Sequence, residues 1–441
     1  MTNVAVIGAG WAGAAAALTL ARAGTQVTVF EAAKTVGGRA RGIEKDGRSF
    51  DNGQHLLLGA YQRSLAMISS LHANVDRVLL RLPLVLNTAP ATQSLLKLRA
   101  PRVMAPLNLL LAIVMAQGLS LSDKFSTLLW SVSHLRVPMP TPMQLVTDST
   151  TVSDILASQP EPVRRLLWEP LCIAALNTPP ETASARVFID VLRLAFMASA
   201  GASDLIIPRL DLSQLLSAPA LAEVSRLGGE FRVGQPVISI TQNEKMMTVA
   251  TRDAALQFDR VVIATGPQHV ARLLGEDAVS QQVAVTLSNL QYEPITTLHF
   301  EFAWATPTQS TGMLMLGGDP GQWLFWQQLE NGHWRASVVI SAHHRSQTED
   351  ELTAQTLAQL QRSYALPVPT WHLVITEKRA TYACTPIQRG LLVDLPKQIG
   401  KLYFAGDWCF PQLPATLEAA VISGENAAQL VLTDCRNGSY V

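Results

Sequence analysis

A chain of 441 residues is too long for one ordinary hydrophobic core and has the length of two or three domains. Hydrophobic residues make up 48% and charged residues 15%, so there is apolar surface to spare for a large cavity or a lipid surface. The formal net charge is zero and no basic run occurs, which argues against nucleic-acid binding. The four cysteines, Cys172, Cys384, Cys409 and Cys435, neither pair as C-x-x-C nor sit among clustered histidines. No metal site or disulfide framework is expected, and a reducing intracellular compartment fits. The N-terminus runs straight into an apolar stretch without a basic n-region, so no signal peptide is expected.

Val4 to Ile7 reads as a buried strand, followed by Gly8, Gly10 and Gly13 in the order G-x-G-x-x-G. An Ala-rich helix over Ala14 to Ala23 and a second strand over Gln26 to Phe30 come next, with Glu31 at the tip. Each glycine has a physical reason: Gly8 for a tight turn, Gly10 for close approach of a pyrophosphate, Gly13 for close helix–sheet packing. The helix N-terminus points free N–H groups at the phosphate, and Glu31 accepts hydrogen bonds from both ribose hydroxyls. Gly37, Gly38 and Arg39 suggest a second phosphate contact; the plainer alternative is a surface turn with a solvated arginine. The order G-x-G-x-x-G, acid, G-G-R resembles the flavin amine oxidase and phytoene desaturase superfamily, which implies FAD as cofactor.

In that superfamily the position of Phe50-Asp51-Asn52-Gly53-Gln54-His55 lies beside the isoalloxazine ring. Asp51 and His55 are the candidate catalytic groups, since a cleft can tune either toward neutrality. The alternative is an Asx-type turn at Asp51 and Asn52 with His55 a packed, satisfied side chain.

From about residue 80 to 200 the strand–helix alternation is lost, and a Leu-rich, mostly helical region broken by Pro83, Pro90, Pro101, Pro106, Pro138, Pro140 and Pro142 is expected. Met104 to Gln117 is as apolar as a membrane helix but too short to span, with Arg99 and Arg102 before it and Asp123 and Lys124 after. A helix dipping into one leaflet or lining a tunnel fits, and so does a buried core helix. The run Trp168-Glu169-Pro170-Leu171-Cys172 to Pro180, the earlier Asp51-Asn52-Gly53-Gln54-His55, and Ser203 to Pro208 with Leu212 make the resemblance specific. Together they resemble the squalene-associated FAD-dependent desaturase group, the hydroxysqualene dehydroxylases of bacterial hopanoid synthesis, over essentially the whole chain.

Ser213 to Leu227 reads as a helix closed by Gly228-Gly229, with strands at Phe231 to Val233, Val237 to Ile240, Met246 to Thr251 and Leu256 to Phe258, and a buried strand from Arg260 to Gly266 whose Ala264-Thr265-Gly266 end comes near the cofactor. In similar flavoproteins the backbone at Val237 holds the adenine edge. Ile295 to Phe302 alternates like a strand of a substrate sheet, continued by Trp323 to Leu329, Trp334 to Ile340 and Trp371 to Glu377. Amine oxidases of the superfamily carry a lysine near the start of this sheet, bridged by water to the flavin; here Thr297 is the best match, which counts against amine oxidation. Thr348 to Ala365 has the periodicity of a surface helix. Leu402 to Ala405 is a strand ending in Gly406-Asp407, and Asp407 is placed for the ribityl or pyrophosphate region. The helix from Thr416 to Leu432 would direct the N–H groups of Thr416 and Leu417 at the flavin. Cys409 reads as a neutral packed thiol.

The expected fold class is α/β: a Rossmann-type FAD-binding domain (glutathione reductase-like) over 1–80, 205–290 and 385–441, with a discontinuous substrate domain of mixed sheet plus helices over 81–204 and 291–384. The resemblance implies FAD-dependent reductive dehydroxylation of hydroxysqualene to squalene; departure of the hydroxyl needs a proton donor, and Asp51 or His55, directly or through water, is the expected one. The alternative is an isoprenoid desaturase of the phytoene type; a third is a flavin-fold protein that presents isoprenoid lipid without turning it over. A lipid substrate, an electron donor of unknown identity and peripheral contact with the inner face of the bacterial cytoplasmic membrane complete the expectation, with no nucleic acid and no metal.

Overall fold

Strand β1 (Asn3–Ile7) has Val4, Ala5, Val6 and Ile7 buried in succession, as a central parallel strand covered on both faces requires. In this computed structural model, which describes residues 2–90, 95–135, 147–243, 246–305, 312–317, 320–342 and 347–437, β1 pairs in parallel with β2 (Gln26–Phe30) on one side. On the other side it pairs with a strand from far along the chain, Arg260–Ile263, in the register Val4 to Arg260 and Ile7 to Ile263. A six-stranded sheet results. Glu230–Arg232 lies outside β2, while Leu402–Phe404 and the short antiparallel Gln398–Ile399 extend the other edge.

Helix α1 (Trp11–Arg22) crosses from β1 to β2 and is almost wholly buried. Its alanines let the C-terminal helix Leu417–Asn437 approach backbone to backbone. A Cβ on Gly424 would stand 2.2 Å from the Ala12 carbonyl oxygen. On the opposite face lie a three-stranded meander, Ser239–Gln242, Met247–Ala250 and Ala255–Phe258, and the helix Ala278–Ser288.

The second sheet has seven strands. Its long members are Tyr292–Phe302, paired antiparallel with Trp334–Ser341 on one side and with Trp371–Tyr382 on the other. Trp323–Gln328 and Met313–Met315 follow, then Val85–Thr88 and Lys97–Arg99. One face, with Leu298, Phe300 and Phe302, shares a core with Leu352 and Leu360 of the helix Glu349–Ser363. The other face contributes Met313, Met315, Trp323, Phe325 and Val339 to a core shared with the helices between residues 107 and 196. The hairpin β3 (Gly42–Lys45) and β4 (Arg48–Asp51) also lies on that face.

Several boundaries differ from those expected. The stretch from residue 80 is not helical at its start: Leu79–Leu82, Val85–Thr88 and Lys97–Arg99 are strands. Their partners, Leu205–Pro208 and Met313–Met315, lie more than 100 residues away in two of the three pairings, so no local pattern announces them. The apolar run at 104–117 forms a helix only over Leu107–Met115. Its inner residues Asn108, Leu109, Ala112 and Ile113 are buried, while Leu107, Leu110, Val114 and Met115 are exposed, so neither a plain core helix nor a span describes it. Among the described residues no helix is long and apolar enough to cross a membrane. Pro138, Pro140 and Pro142 lie outside the described residues.

Candidate active site

Two glycine turns meet at the end of β1. Gly8 adopts φ +106°, which favours glycine, and its N–H donates to the Phe30 carbonyl at 2.7 Å. A Cβ on Gly13 would fall 1.9 Å from the Gly8 carbonyl oxygen, so that glycine is dictated by packing inside the fold. Gly10 differs: the nearest atoms to an added Cβ are 3.9 Å away, on Gly37 and Gly38. Gly10 and Gly37 form an isolated parallel bridge, and the Gly37 N–H donates to the Ala9 carbonyl at 2.9 Å. The G-x-G turn and the G-G-R loop, adjacent only in the fold, thus form one glycine-walled notch at the N-terminus of α1.

Glu31 ends β2 beside this notch. One carboxylate oxygen accepts the Ala9 N–H and the other the Ala33 N–H, each at 2.8 Å. These bonds fix the side chain while leaving each oxygen a further lone pair. Ser213 braces the loop from behind, donating to the Val36 carbonyl at 2.8 Å and accepting the Gly42 N–H at 3.1 Å.

Arg39 reaches across to the C-terminal part of the chain, 2.6 Å from Asp407 and 2.7 Å from the Ala380 carbonyl. Its side chain retains 39% of its surface, while that of Asp407 retains 6%. Burial opposes its charge, but Asp407 and Glu377 more than offset that, and the guanidinium is held above its ordinary value. Gly406, at φ +146°, donates its N–H to the Ser423 hydroxyl at 2.9 Å and turns the chain so that Asp407 faces Arg39. Thr416 is the N-cap of the helix that follows: its hydroxyl accepts the Ala419 N–H at 3.2 Å. Leu417 opens that helix. Val237 is buried in the same core cluster as Phe30. Cys409 is buried, and burial pushes its thiol well up, so it stays protonated.

Asp51 is the last residue of β4, and His55 lies on the loop that leaves it. One carboxylate oxygen of Asp51 accepts the Leu212 N–H at 2.8 Å. Burial, opposed by that bond and reinforced by Asp211, pushes Asp51 up to about 7. The Asx-type turn is not what forms, because the Asp51 side chain bonds across the structure to Leu212. The His55 Nδ1 lies 3.0 Å from the Gly53 carbonyl. A carbonyl can only accept, so Nδ1 carries the proton and Nε2 is left with its lone pair. Burial first, then the nearby Arg39 charge, pull His55 below its ordinary value. Asn52 spans the cleft, donating to the Arg39 carbonyl at 3.4 Å and to Glu377 at 3.3 Å. Thr297 faces the same loop, its hydroxyl 3.4 Å from the Gln54 N–H, and no lysine occurs on Tyr292–Phe302.

Thr265 lies two residues past the strand Arg260–Ile263, within the stretch to Gly266 that the sequence reads as strand. Its hydroxyl is buried without a partner among the described residues, while its carbonyl accepts from the Trp408 indole at 3.3 Å. Glu377 and Ser213 have no local signature in the sequence at all; each earns its place through partners more than 100 residues away.

The chain matches the model of the family described as flavin containing amine oxidoreductase over residues 11–432. It is 32% identical to the hydroxysqualene dehydroxylase of Rhodopseudomonas palustris, covering 98% of both chains. To the hydroxysqualene dehydroxylase of Zymomonas mobilis it is 29% identical, over 98% of this chain and 100% of the other. Against the 15-cis-phytoene desaturase of Synechococcus elongatus identity falls to 21%, over 98% and 96%. Among solved structures, the cyclohexylamine oxidase of Brevibacterium oxydans superposes with a TM-score of 0.70 at 19% identity, covering 99% of each chain. A triple mutant of putrescine oxidase gives a TM-score of 0.72 at 16% identity, covering 98% of this chain and 99% of that one. These two likenesses establish the fold.

Proposed function

The chain belongs to the flavin containing amine oxidoreductase family and, within it, to the hydroxysqualene dehydroxylases, and we propose that it converts hydroxysqualene to squalene with FAD in hopanoid synthesis. One observation carries this reading: the similarity at 32% identity runs end to end, through the substrate sheet and helices as well as the nucleotide fold. The phytoene desaturase, at 21% over the same span, fits the alternative less well.

The residues present fit FAD. A Cβ on Gly10 would meet nothing nearer than 3.9 Å, the Thr265 hydroxyl is a buried group in want of a partner, and the Arg39 side chain keeps 39% of its surface free. We assign the pyrophosphate to Gly8, Gly10, Gly13 and the N-terminus of α1, with Gly37, Gly38 and Arg39 closing over it. Glu31 takes the adenosine ribose, the Val237 backbone the adenine edge, and Gly406 and Asp407 the ribityl region. To Thr416 and Leu417 we assign the helix N-terminus that would face the ring, where it would stabilise negative charge.

Bound and reduced, FAD supplies the hydride that replaces the hydroxyl. The C–O bond breaks, the oxygen takes a proton and leaves as water, and the allylic carbon receives the hydride. That oxygen needs a proton donor. Asp51, pushed up to about 7, keeps a proton over much of the neutral range. His55 is a poorer donor, because its one N–H is spent on the Gly53 carbonyl. We therefore assign the acid to Asp51 and give His55 the task of fixing the loop and offering an acceptor. We assign the exclusion of water from the allylic carbon to the apolar side chains of Met313, Met315, Trp323 and Phe325, which are buried in one core cluster.

The substrate is an isoprenoid lipid, so we place the protein at the inner face of the bacterial cytoplasmic membrane as a peripheral protein; an electron donor must re-reduce its flavin. Anaerobically reduced protein should form squalene from hydroxysqualene and leave phytoene unchanged. Desaturation of phytoene by the oxidised protein, with no squalene from hydroxysqualene, would replace this reading by the desaturase one.

A further inference from the structure

Two consecutive helices, Leu107–Met115 and Leu121–Leu135, pack against each other and turn an apolar face outward. On the first, Leu107, Leu110 and Val114 recur at spacings of three and four, and Met115 is 71% exposed. On the second, Leu121, Phe125, Leu129 and Val132 follow the same rule, with Leu121 85% and Phe125 64% exposed. Large side chains at this density are not the scattered surface leucines that any protein carries. The opposite faces are firmly anchored: Ala112, Ile113 and Trp130 are buried, and the Trp130 indole donates to the Ile155 carbonyl at 2.8 Å. The outward face is thus held rigidly in place.

Charge decides what it meets. Lys97 and Arg99 are exposed on the strand beside the first helix, and the Lys97 backbone pairs with Gln117 just past that helix. The Lys124 ammonium donates to the Val114 carbonyl at 2.9 Å, at the junction of the two helices. The nearby acid, Asp123, accepts the Ser120 N–H at 3.0 Å and is outnumbered by Lys97, Arg99 and Lys124. Arg102, by contrast, is bound to buried Asp204 at 3.0 Å and serves the fold.

We propose that these two helices are one docking face for an anionic phospholipid bilayer, lying in the interface plane with Lys97, Arg99 and Lys124 at the headgroups. This rests on the lipid-substrate reading: the inner faces of both helices share a core with Met313, Met315, Trp323 and Phe325, the apolar side chains that reading assigns to the substrate.

The test is co-sedimentation of flavin-loaded protein with vesicles of phosphatidylcholine alone or mixed with phosphatidylglycerol. Native protein should bind the mixed vesicles more tightly, and L110S/F125S should bind at least about tenfold more weakly while keeping its flavin. K97Q/R99Q should abolish the preference for phosphatidylglycerol. Equal binding by native and L110S/F125S protein, or none by native protein, would overturn the proposal. So would a native dimer that L110S/F125S dissociates, which would make the face a contact between copies. Native protein that converts detergent-dispersed hydroxysqualene but ignores vesicles would sink the docking face alone; vesicle binding without conversion would sink the reaction alone.

Discussion

Arg39 and Asp407 stand 368 residues apart in sequence and 2.6 Å apart in the fold. Asp407 is buried, so this pair joins the two ends of the chain at the point where both are assigned to the cofactor. Arg39→Ala leaves a buried carboxylate without its partner and should cost about 1–3 kcal/mol of stability, tempered by the partial exposure of the arginine. The variant should also lose flavin on purification. Thermal melting and the flavin-to-protein absorbance ratio check both, and adding Asp407→Asn should cost less than the sum of the two single changes.

Gly10 and Gly13 should part company. Gly10→Ala meets nothing nearer than 3.9 Å, so the apoprotein should melt within a degree or two of the parent, yet flavin affinity should drop because the Cβ projects where the pyrophosphate must approach. Gly13→Ala places its Cβ 1.9 Å from the Gly8 carbonyl and should fail to fold or melt far lower. Flavin titration followed by melting of each variant separates the two effects.

For Asp51 the sign is fixed by its rise to about 7. The protonated acid is the working form, so dehydroxylation by pre-reduced protein should fall as pH climbs through about 7. Asp51→Asn should slow the reaction about 10²–10⁴-fold and remove that limb. Because the folded state favours the protonated carboxyl, the parent loses stability as pH rises from the ordinary carboxylate range toward 7. Asparagine can still accept the Leu212 N–H, so D51N should melt higher than the parent at pH 8.

Glu301 responds in the opposite sense. Burial raises it, but Arg335 at 2.6 Å and Arg48 at 2.9 Å outweigh burial and hold it below its ordinary value. Its contribution is therefore present at neutral pH and is lost as pH falls below the usual glutamate range. Glu301→Gln should cost about 2–4 kcal/mol at pH 7 and flatten the acid limb of the melting profile. Since Arg48 lies on β4 with Asp51, flavin-dependent turnover should fall with it.

Much of the cofactor half was legible because its signals are local. Gly8, Gly10, Gly13 and Glu31 lie within one strand–helix–strand unit, and that unit forms with β2 over Gln26–Phe30 as expected. The same holds for Gly406 and Asp407 at the end of a buried strand. The other half depends on pairings between distant segments. Nothing near Leu79–Leu82 points to its partner Leu205–Pro208. Likewise nothing around Asp51 tells that Leu212 will bond it, so an Asx turn was an equally good local reading. The helix at 107–115 had to be seen in place, since its sequence is apolar on nearly every face and only packing decides which face stays out.

The most direct test of the dehydroxylase reading is an anaerobic titration of bleached, reduced holoprotein with hydroxysqualene, following the flavin absorbance and the lipid products together. The expected result is return of the oxidised flavin band with one squalene formed per flavin. A band that stays bleached in the presence of excess hydroxysqualene, with no squalene in the extract, would contradict it.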